Sequence, residues 1–496
     1  MLANLGIDVP TAVLLCLAVL LALSFEFVNG FHDTANAVAT VIYTHSLKPA
    51  QAVVWSGTWN LIGVLTSSGA VAFGIVALLP VELVINVGSG AGFAMVFALL
   101  LSAIIWNVGT WYLGLPASSS HTLIGSIVGV GLMNSLMSPD SAFGDGVNWA
   151  KLADTVKALV VSPLIGFVFA GLLLLAAKAL LKKPELFTAP EGQKPPPFWI
   201  RGLLVLTCTG VSFAHGSNDG QKGMGLIVLI LVGIVPTVYA LNLGASGESL
   251  QRLSEASSSF SRSLAELSPG TIANGDAGAA HQQLTRYLRS GTPAATTLPA
   301  LATLNARIAT RLAGVHDLAS IAPAERTALR LDVYLVAETL ARLIKTKRLP
   351  ATLDVKRATD YQKSLRELTN FIPVWVKVAV ALALGLGTMI GWKRIVVTVG
   401  EKIGKAHLTY AQGASAELVA FATIEAADVL GLPVSTTHVL SSGIAGTMVA
   451  NGSGIQRETM RNILLAWVLT LPVCVALGAA LFGAGLFLVL RVLGVH

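Results

Sequence analysis

The chain has 496 residues, of which 54% are hydrophobic and only 12% are charged, and its mean hydropathy is +0.72. Soluble domains carry about 25% charged residues, so this composition excludes a soluble enzyme, a nucleic-acid-binding protein and a disordered scaffold. It predicts a polytopic protein embedded in the lipid bilayer. We interpret the net charge of +7 through membrane sidedness, because basic residues accumulate in short cytoplasmic loops.

Long apolar stretches follow one another along the chain, and about 20 apolar residues suffice to span a bilayer. They cover residues 11–44, 51–79, 92–115, 116–137, 158–181, 200–243, 373–392, 408–430, 433–450 and 462–490. The first and sixth are too long for one straight span, and each contains a polar patch, at residues 30–36 and 215–222. A broken helix is predicted at both patches, because non-helical backbone at membrane depth is tolerated where protein or water satisfies it.

A charged insert at residues 245–370 interrupts the apolar sequence, since it contains 27 of the 59 charged residues. Its leucine spacing is typical of helices, so we expect a helical domain outside the membrane. The other predicted units are a first membrane region at 1–181, a cytoplasmic linker at 182–199, and a second membrane region divided into 200–244 and 371–496.

The distribution of basic residues predicts which side each loop faces. The alternate connections at 44–50, 178–201, 393–407 and 451–461 together carry 12 Lys and Arg, whereas the opposite set carries three. Because short cytoplasmic loops are enriched in Lys and Arg, the first set is predicted to lie in the cytoplasm. Both termini and the insert then face outside.

Two motifs occur twice in the same order. The first is the polar patch, and the second is Pro-x-Ser-Ser/Thr-Ser/Thr-His, at residues 116–121 and 433–438. Asp33 and Ser118 are 85 positions apart, and the equivalent spacing in the second half is 90 once the 126-residue insert is removed. Five crossings per half is an odd number, so the second copy is inverted in the membrane, as in many secondary transporters.

The predicted fold is therefore an all-α polytopic membrane protein with two inverted-topology repeats and about 10–12 membrane segments. By residue counting, Ser118 lies near the inner surface and Ser435 near the outer one. Both motifs reach one site near the midplane only if these segments fold inward as re-entrant hairpins.

These motifs resemble the paired signatures of the inorganic phosphate transporter (PiT) family. The matching segments are Gly-x-x-Asp-x-x-Asn-Ala at 30–37, Gly-x-Asn-Asp at 216–219 and the two Pro-x-Ser motifs. Gln-Lys-Gly at 221–223 is similar to the family's bacterial low-affinity permeases. The resemblance implies uptake of inorganic phosphate by cation symport, with protons and a neutral metal-phosphate in the bacterial branch. It also implies a bacterial inner membrane, so the insert is expected to face the periplasm. It covers both membrane halves and does not explain the insert.

The Pro-x-Ser motifs place hydroxyls and free backbone N–H groups at the start of a helix, where the helix dipole favours an anion. The predicted substrate-binding residues are these hydroxyls and nearby polar groups, namely Asn36, Ser118, Ser119, Ser120, Thr122, Asn218, Lys222, Ser435, Thr436 and Thr437. The alternative is that each motif is an N-cap whose spare hydroxyls pack between helices.

Asp33 and Asp219 are carboxylates inside membrane segments, where ionisable groups are costly and usually functional. As anions they repel phosphate, so we predict that they bind the coupling cation, a proton or a metal ion, together with His32 and Glu26. The alternative is that the two Asp side chains cap a broken helix.

Lys222 occupies the position of Asn36 in the other repeat. Its ammonium would compete with sodium, so it argues against sodium coupling. It either pairs with Asp219 or contacts phosphate, unless it extends to the membrane surface.

The sequence predicts a phosphate symporter driven by protons, with no enzymatic activity and no bound cofactor. A hydrolase is disfavoured because Ser120 and His121 are adjacent, and their side chains diverge by about 100° on a helix. The alternatives are a symporter of sulfate or another tetrahedral oxyanion, a sodium-coupled phosphate symporter, and a passive channel or receptor. A co-transported divalent metal and a homodimer are both compatible with the sequence.

Overall fold

The structure is a computed structural model that describes residues 7–138, 142–190, 192, 194–267 and 276–489, without the side chains of residues 34–36 and 81–82. Within these residues the fold is built from helices, and one antiparallel bridge between Gly404 and Ile455 is the only β-pairing. The predicted all-α class is confirmed. Asn36, a predicted substrate-binding residue, lies outside the described side chains.

The helices fall into three groups along the chain. The first membrane half contains α1 Val9–Tyr43, α2 Pro49–Thr66, α3 Ala70–Val76, α4 Val81–Ile85, α5 Gly90–Tyr112, α6 Ser119–Met137 and α7 Trp149–Leu180. The second half begins with α8 Phe198–Ile234 and α9 Pro236–Tyr239. The insert contains α10 Gly247–Leu267, α11 Ala277–Ser290, α12 Thr297–Leu312, α13 Pro323–Lys345 and α14 Val355–Thr369. The second half ends with α15 Val374–Met389, α16 Lys393–Glu401, α17 Tyr410–Val429, α18 Thr436–Asn451 and α19 Arg457–Phe487. Short 3₁₀ helices lie at Pro184–Phe187 and Leu318–Ser320.

Among the described residues, six helices are long and apolar enough to cross a membrane, namely α1, α5, α6, α7, α8 and α19. Two bent pairs, α2 with α3 and α14 with α15, raise the number to eight. Each predicted apolar stretch overlaps a helix, but α15 and α18 have only 16 residues each. At 1.5 Å per residue that is about 24 Å, less than the roughly 30 Å of a hydrocarbon core. The protein is a multi-pass membrane protein that combines long and short membrane helices.

The predicted breaks in the polar patches around Gly30 and His215 are wrong, because α1 and α8 run through them as continuous helices. The glycines serve close packing instead. A β-carbon on Gly30 would lie 2.3 Å from the carbonyl oxygen of Leu384, and one on Gly216 would lie 2.1 Å from that of Asn60. Small residues allow such close helix contacts. Described polar side chains of both patches, such as Asp33 and His215, have hydrogen-bond partners on neighbouring helices, and the helical backbone continues through them.

The helix crossings at these glycines are reciprocal. In α15, a β-carbon on Gly387 would lie 2.1 Å from the carbonyl oxygen of Phe27 in α1. In α2, a β-carbon on Gly63 would lie 2.2 Å from the carbonyl oxygen of Phe213 in α8. The contact between α1 and α15 thus resembles the contact between α8 and α2, in agreement with the predicted repeat.

The two helices that carry the repeated acids cross in antiparallel directions. Glu26 of α1 accepts a hydrogen bond from the backbone N–H of Gly223 in α8, at 2.6 Å. Thr40, further along α1, and Thr207, earlier in α8, both donate hydrogen bonds to Glu417 of α17. Positions later in α1 therefore lie beside positions earlier in α8, so the two helices are antiparallel. This agrees with the predicted inversion.

Contacts near the helix ends show which connections between helices lie on the same side of the bundle. Nε of Arg201 donates to the carbonyl of Ser46 at 2.8 Å, so the linker meets the loop after α1. At the other end of the 32-residue helix α7, Nζ of Lys345 in the insert lies 2.5 Å from Oδ2 of Asp154. The insert therefore lies beside the loop before α7, and both belong to the group predicted to face outside.

The insert is a helical bundle with its own apolar core. Leu253, Leu284, Leu304 and Leu340 are buried there, whereas two further apolar clusters pack the membrane helices. The backbone N–H of Asn242, before the bundle, donates to the carbonyl of Leu368 at its end, at 2.9 Å. The chain therefore enters and leaves the insert at neighbouring points.

Cysteine labelling should place the insert and the loop after α16 on opposite sides of the membrane. Thr292 and Lys405 are both exposed, and the exposed native Cys16 is first replaced by alanine. We expect a membrane-impermeant maleimide to modify Thr292→Cys in spheroplasts, and Lys405→Cys only after permeabilisation. Labelling of Lys405→Cys in intact spheroplasts would contradict the predicted sidedness.

Candidate functional site

The repeated acids lie together in a buried site, where Asp33 and Asp219 are 2% and 1% exposed. Oδ1 of Asp33 accepts a hydrogen bond from Thr437 at 2.5 Å and lies 3.0 Å from Nδ1 of His32. Oδ2 of Asp33 accepts from Ser119 at 3.1 Å. Ser119 begins α6 and Thr437 lies in the first turn of α18. The two Pro-x-Ser motifs therefore meet at one carboxylate, although residue counting places them near opposite surfaces.

Lys222 is fully buried and forms an ion pair with Asp219. Its Nζ lies 2.6 Å from Oδ2 of Asp219 and 3.4 Å from Oγ of Ser119. The same Oδ2 lies 3.3 Å from Oγ of Ser119. Of the alternatives that the sequence offered for Lys222, the structure shows the pair with Asp219. A buried charge needs such a partner because it has lost its hydration.

His215 lies between the two acids. Its Nε2 is 3.6 Å from Oδ2 of Asp219 and 3.9 Å from Oδ2 of Asp33, and its Nδ1 is 2.7 Å from Oδ1 of Asn60 in α2. One ligand atom from each of Asp33, His215 and Asp219 lies within 4.8 Å of the others. This geometry suits a small cation held between the two repeats.

The first serine of each Pro-x-Ser motif is an N-cap. Oγ of Ser118 accepts from the backbone N–H of His121 at 3.2 Å, and Oγ of Ser435 accepts from that of His438 at 3.1 Å. For these two residues the structure shows the capping arrangement that the sequence offered as the alternative. The hydroxyls that contact the acids come from later positions of the motifs.

Two other predicted substrate-binding residues donate to backbone carbonyls rather than to the acids. Ser120 donates to the carbonyl of Val434 at 2.6 Å, and Asn218 donates to that of Leu432 at 3.2 Å, so both support the turn before α18. The hydroxyl of Thr436 is buried without a hydrogen-bond partner among the described residues.

The described hydrogen bonds of two further predicted residues go to groups other than the acids. Thr122 donates to Oδ1 of Asn107 at 2.9 Å. Glu26 accepts hydrogen bonds from the side-chain amide of Asn29 and from the backbone N–H of Gly223.

Beyond His215, which the sequence places only within the polar patch at residues 215–222, three polar residues in and around the site were not predicted. Asn60 orients His215, and Oγ1 of Thr110 lies 3.1 Å from Nε2 of His32. Glu417 is fully buried and accepts hydrogen bonds from a threonine of each repeat. None of these residues belongs to a repeated motif. The available signal was a single polar residue inside an apolar segment, which in membrane proteins usually faces the helix bundle.

Comparison with known proteins identifies the family. The Phosphate transporter family matches residues 29–478. This chain belongs to the phosphate transporter family. It is 43% identical over 491 residues to the low-affinity inorganic phosphate transporter PitA of Escherichia coli K12, covering 96% of this chain and 97% of PitA. PitB of the same strain is 43% identical over 503 residues, covering 98% of this chain and 99% of PitB. The predicted resemblance is confirmed, and the family's members are transporters rather than enzymes.

A solved structure of a sodium-dependent phosphate transporter has a related fold. It matches with a TM-score of 0.51 at 19% identity, covering 95% of this chain and 98% of the other. At this identity the likeness shows the fold alone.

Proposed function

We propose that this family member takes up inorganic phosphate across a bacterial inner membrane by proton symport. The observation that carries this proposal is the convergence of the N-terminal ends of α6 and α18, with the ammonium of Lys222, on the paired acids. Free N–H groups and the positive end of the helix dipole at each N-terminus favour an anion. Thr436, whose hydroxyl has no hydrogen-bond partner among the described residues, adds a donor at the same place. Ser119 and Thr437 add two more once Asp33 no longer accepts their hydrogen bonds.

The charge of the site explains why phosphate requires a co-transported cation. With His215 neutral, two carboxylates and one ammonium leave one net negative charge in a buried space. A bound phosphate anion would add to this charge, and in a low-dielectric interior such repulsion is strong. Protons on the acids, or a metal ion carried as neutral metal-phosphate, remove it. Binding of the cation and binding of phosphate therefore favour each other.

Proton coupling is favoured over sodium coupling by Lys222. Its ammonium already contacts Asp219 at 2.6 Å, so a monovalent metal ion at this carboxylate would meet a fixed positive charge. Sodium coupling is the second candidate, because the solved transporter of related fold is sodium-dependent.

Transport assays in proteoliposomes separate these candidates. We expect radiolabelled phosphate to accumulate when the outside is acidic, with equal rates in sodium and potassium buffers. Sulfate in excess should compete poorly. Phosphate uptake that requires sodium at fixed pH would refute proton coupling. Preferential uptake of sulfate would refute phosphate as the substrate.

Replacing Ser119 by alanine should weaken phosphate binding, whereas replacing Ser118 should mainly reduce stability. A hydrogen bond to a charged group contributes roughly 1.5–3 kcal/mol, which corresponds to about 10- to 100-fold in affinity. Ser118→Ala removes an N-cap that contributes about 0.5–2 kcal/mol. The concentration dependence of uptake, with thermal unfolding of both variants, tests this difference. Unchanged phosphate affinity in Ser119→Ala would show that this hydroxyl does not bind the substrate.

A further inference from the structure

We infer that His121 and His438 form a proton-binding pair, which takes up a proton when phosphate binds. The inference rests on the proposed proton symport and deepens it, because it adds a place for a coupling proton besides the acids. The two histidines end the repeated Pro-x-Ser motifs at residues 116–121 and 433–438. One histidine therefore comes from each repeat.

The two imidazoles and the indole of Trp467 in α19 form one stack. The ring centroids of His121 and His438 lie 4.6 Å apart. Those of His438 and Trp467 lie 3.9 Å apart, with 24° between the ring planes. Nε1 of Trp467 donates a hydrogen bond to the carbonyl of Pro116 at 2.8 Å. The stack therefore connects the Pro-x-Ser motifs of both repeats.

Each imidazole has a buried ring nitrogen without a hydrogen-bond partner among the described residues. These atoms are Nδ1 of His121 and Nε2 of His438, and the His438 side chain as a whole is 2% exposed. Most buried polar atoms have a hydrogen-bond partner, so packing alone does not account for two unpaired nitrogens in one stack. Each nitrogen is free to hold a proton.

Without phosphate, the surroundings favour a neutral pair. Each imidazole lies in the first turn of its helix, α6 or α18, where the positive end of the helix dipole disfavours a cation. Burial also disfavours the charged form of an ionisable side chain. Among the described residues, the charged groups that act on the pair are Lys222, which repels a proton on His121, and Asp33, which attracts one on His438. Two imidazolium rings at 4.6 Å would repel each other, so the pair holds one proton at most.

Bound phosphate reverses this preference. The proposed anion site lies at the same two helix ends, where Ser119 and Thr437 precede the histidines by two residues and one residue. An anion there attracts a proton to the pair, and this attraction is strong in a low-dielectric interior. The face of Trp467 stabilises an imidazolium on His438 through a cation–π contact. The pair therefore takes up its proton with phosphate and releases it when phosphate leaves.

The pH dependence of phosphate affinity tests the pair, on the full-length protein in nanodiscs between about pH 6 and pH 8, where histidines titrate. Each proton taken up with the ligand changes its affinity by about tenfold per pH unit. We expect the double variant His121→Gln/His438→Gln to show a shallower dependence than wild type, by up to about tenfold per pH unit. The control is His281→Gln in the insert, where the imidazole contacts Asp332 at 2.6 Å, and we expect the wild-type dependence there.

Solid-state NMR of isotopically labelled histidines reads the protonation state in the wild-type protein. We expect one imidazole signal to become an imidazolium signal when inorganic phosphate is added. The signals of the pair are assigned by their absence from the double variant, which distinguishes proton binding from a packing role.

No imidazolium signal from the pair with phosphate, or equal pH dependence in wild type and the double variant, would overturn the inference. Either result leaves proton-driven phosphate uptake through the acids intact. An imidazolium that forms with phosphate in a protein whose uptake requires sodium would support the pair and refute the proposed symport.

Discussion

Asparagine in place of Asp33 or Asp219 should abolish accumulation of phosphate against its gradient. The amide retains the shape of the side chain and its contacts with Ser119, but it does not take up and release a proton and carries no charge to attract a cation. Radiolabelled uptake into proteoliposomes with an imposed pH gradient measures the effect. We expect accumulation to fall to the level of liposomes without protein.

The matched control for these variants is Asp428→Asn. Asp428 is also a buried acid, 8% exposed, but it accepts hydrogen bonds from Ser217 at 2.9 Å and from Gln221 at 2.6 Å and lies outside the acid pair. We expect this variant to accumulate phosphate. Full accumulation by both Asp33→Asn and Asp219→Asn would exclude the acid pair from coupling.

Lys222→Asn should eliminate or strongly reduce phosphate uptake, although it restores the residue found in the other repeat. Asp219 then loses the ammonium at 2.6 Å, and breaking one side of a buried ion pair costs about 3–5 kcal/mol. The anion site also loses its fixed positive charge. Initial rates of phosphate uptake, corrected for the amount of folded protein, measure the loss.

Lys377→Asn provides a comparison for a lysine in a membrane helix away from the acids. Nζ of Lys377 donates to the backbone carbonyl of Ser67 at 2.9 Å, so its loss removes a hydrogen bond and leaves the paired acids unchanged. We expect near-normal uptake in this variant. Wild-type uptake by Lys222→Asn would show that this lysine is not part of the transport site.

The centre of the site was predictable because its residues lie in short motifs that occur twice. Asp33, Asp219, Ser119 and Thr437 were all identified in this way, and they do meet. The pairing of Lys222 with Asp219 was one of several alternatives that charge alone did not separate.

The helix breaks were predicted incorrectly because glycine has two physical uses. A glycine in an apolar segment permits either a bend in the backbone or a close approach of a second helix. The sequence around Gly30 and Gly216 does not distinguish these uses. Their partners, Leu384 and Asn60, are far away in the chain, so only the assembled bundle shows which use applies.

Partners of the site residues were missed for a related reason. Asn60 and Glu417 lie in helices without a repeated motif, and their importance comes from contacts with His215 and with threonines of α1 and α8. Such contacts depend on how the helices rotate and pack. Hydrophobic periodicity locates the helices but does not determine their rotation closely enough to pair individual side chains.

An experimental structure of the protein with bound phosphate would test the central claim most directly. We predict density for the anion beside Lys222, between Ser119 at the start of α6 and Thr437 in the first turn of α18. Phosphate at another place, for example at the arginines of the insert, with no anion between these two helix ends, would contradict the account.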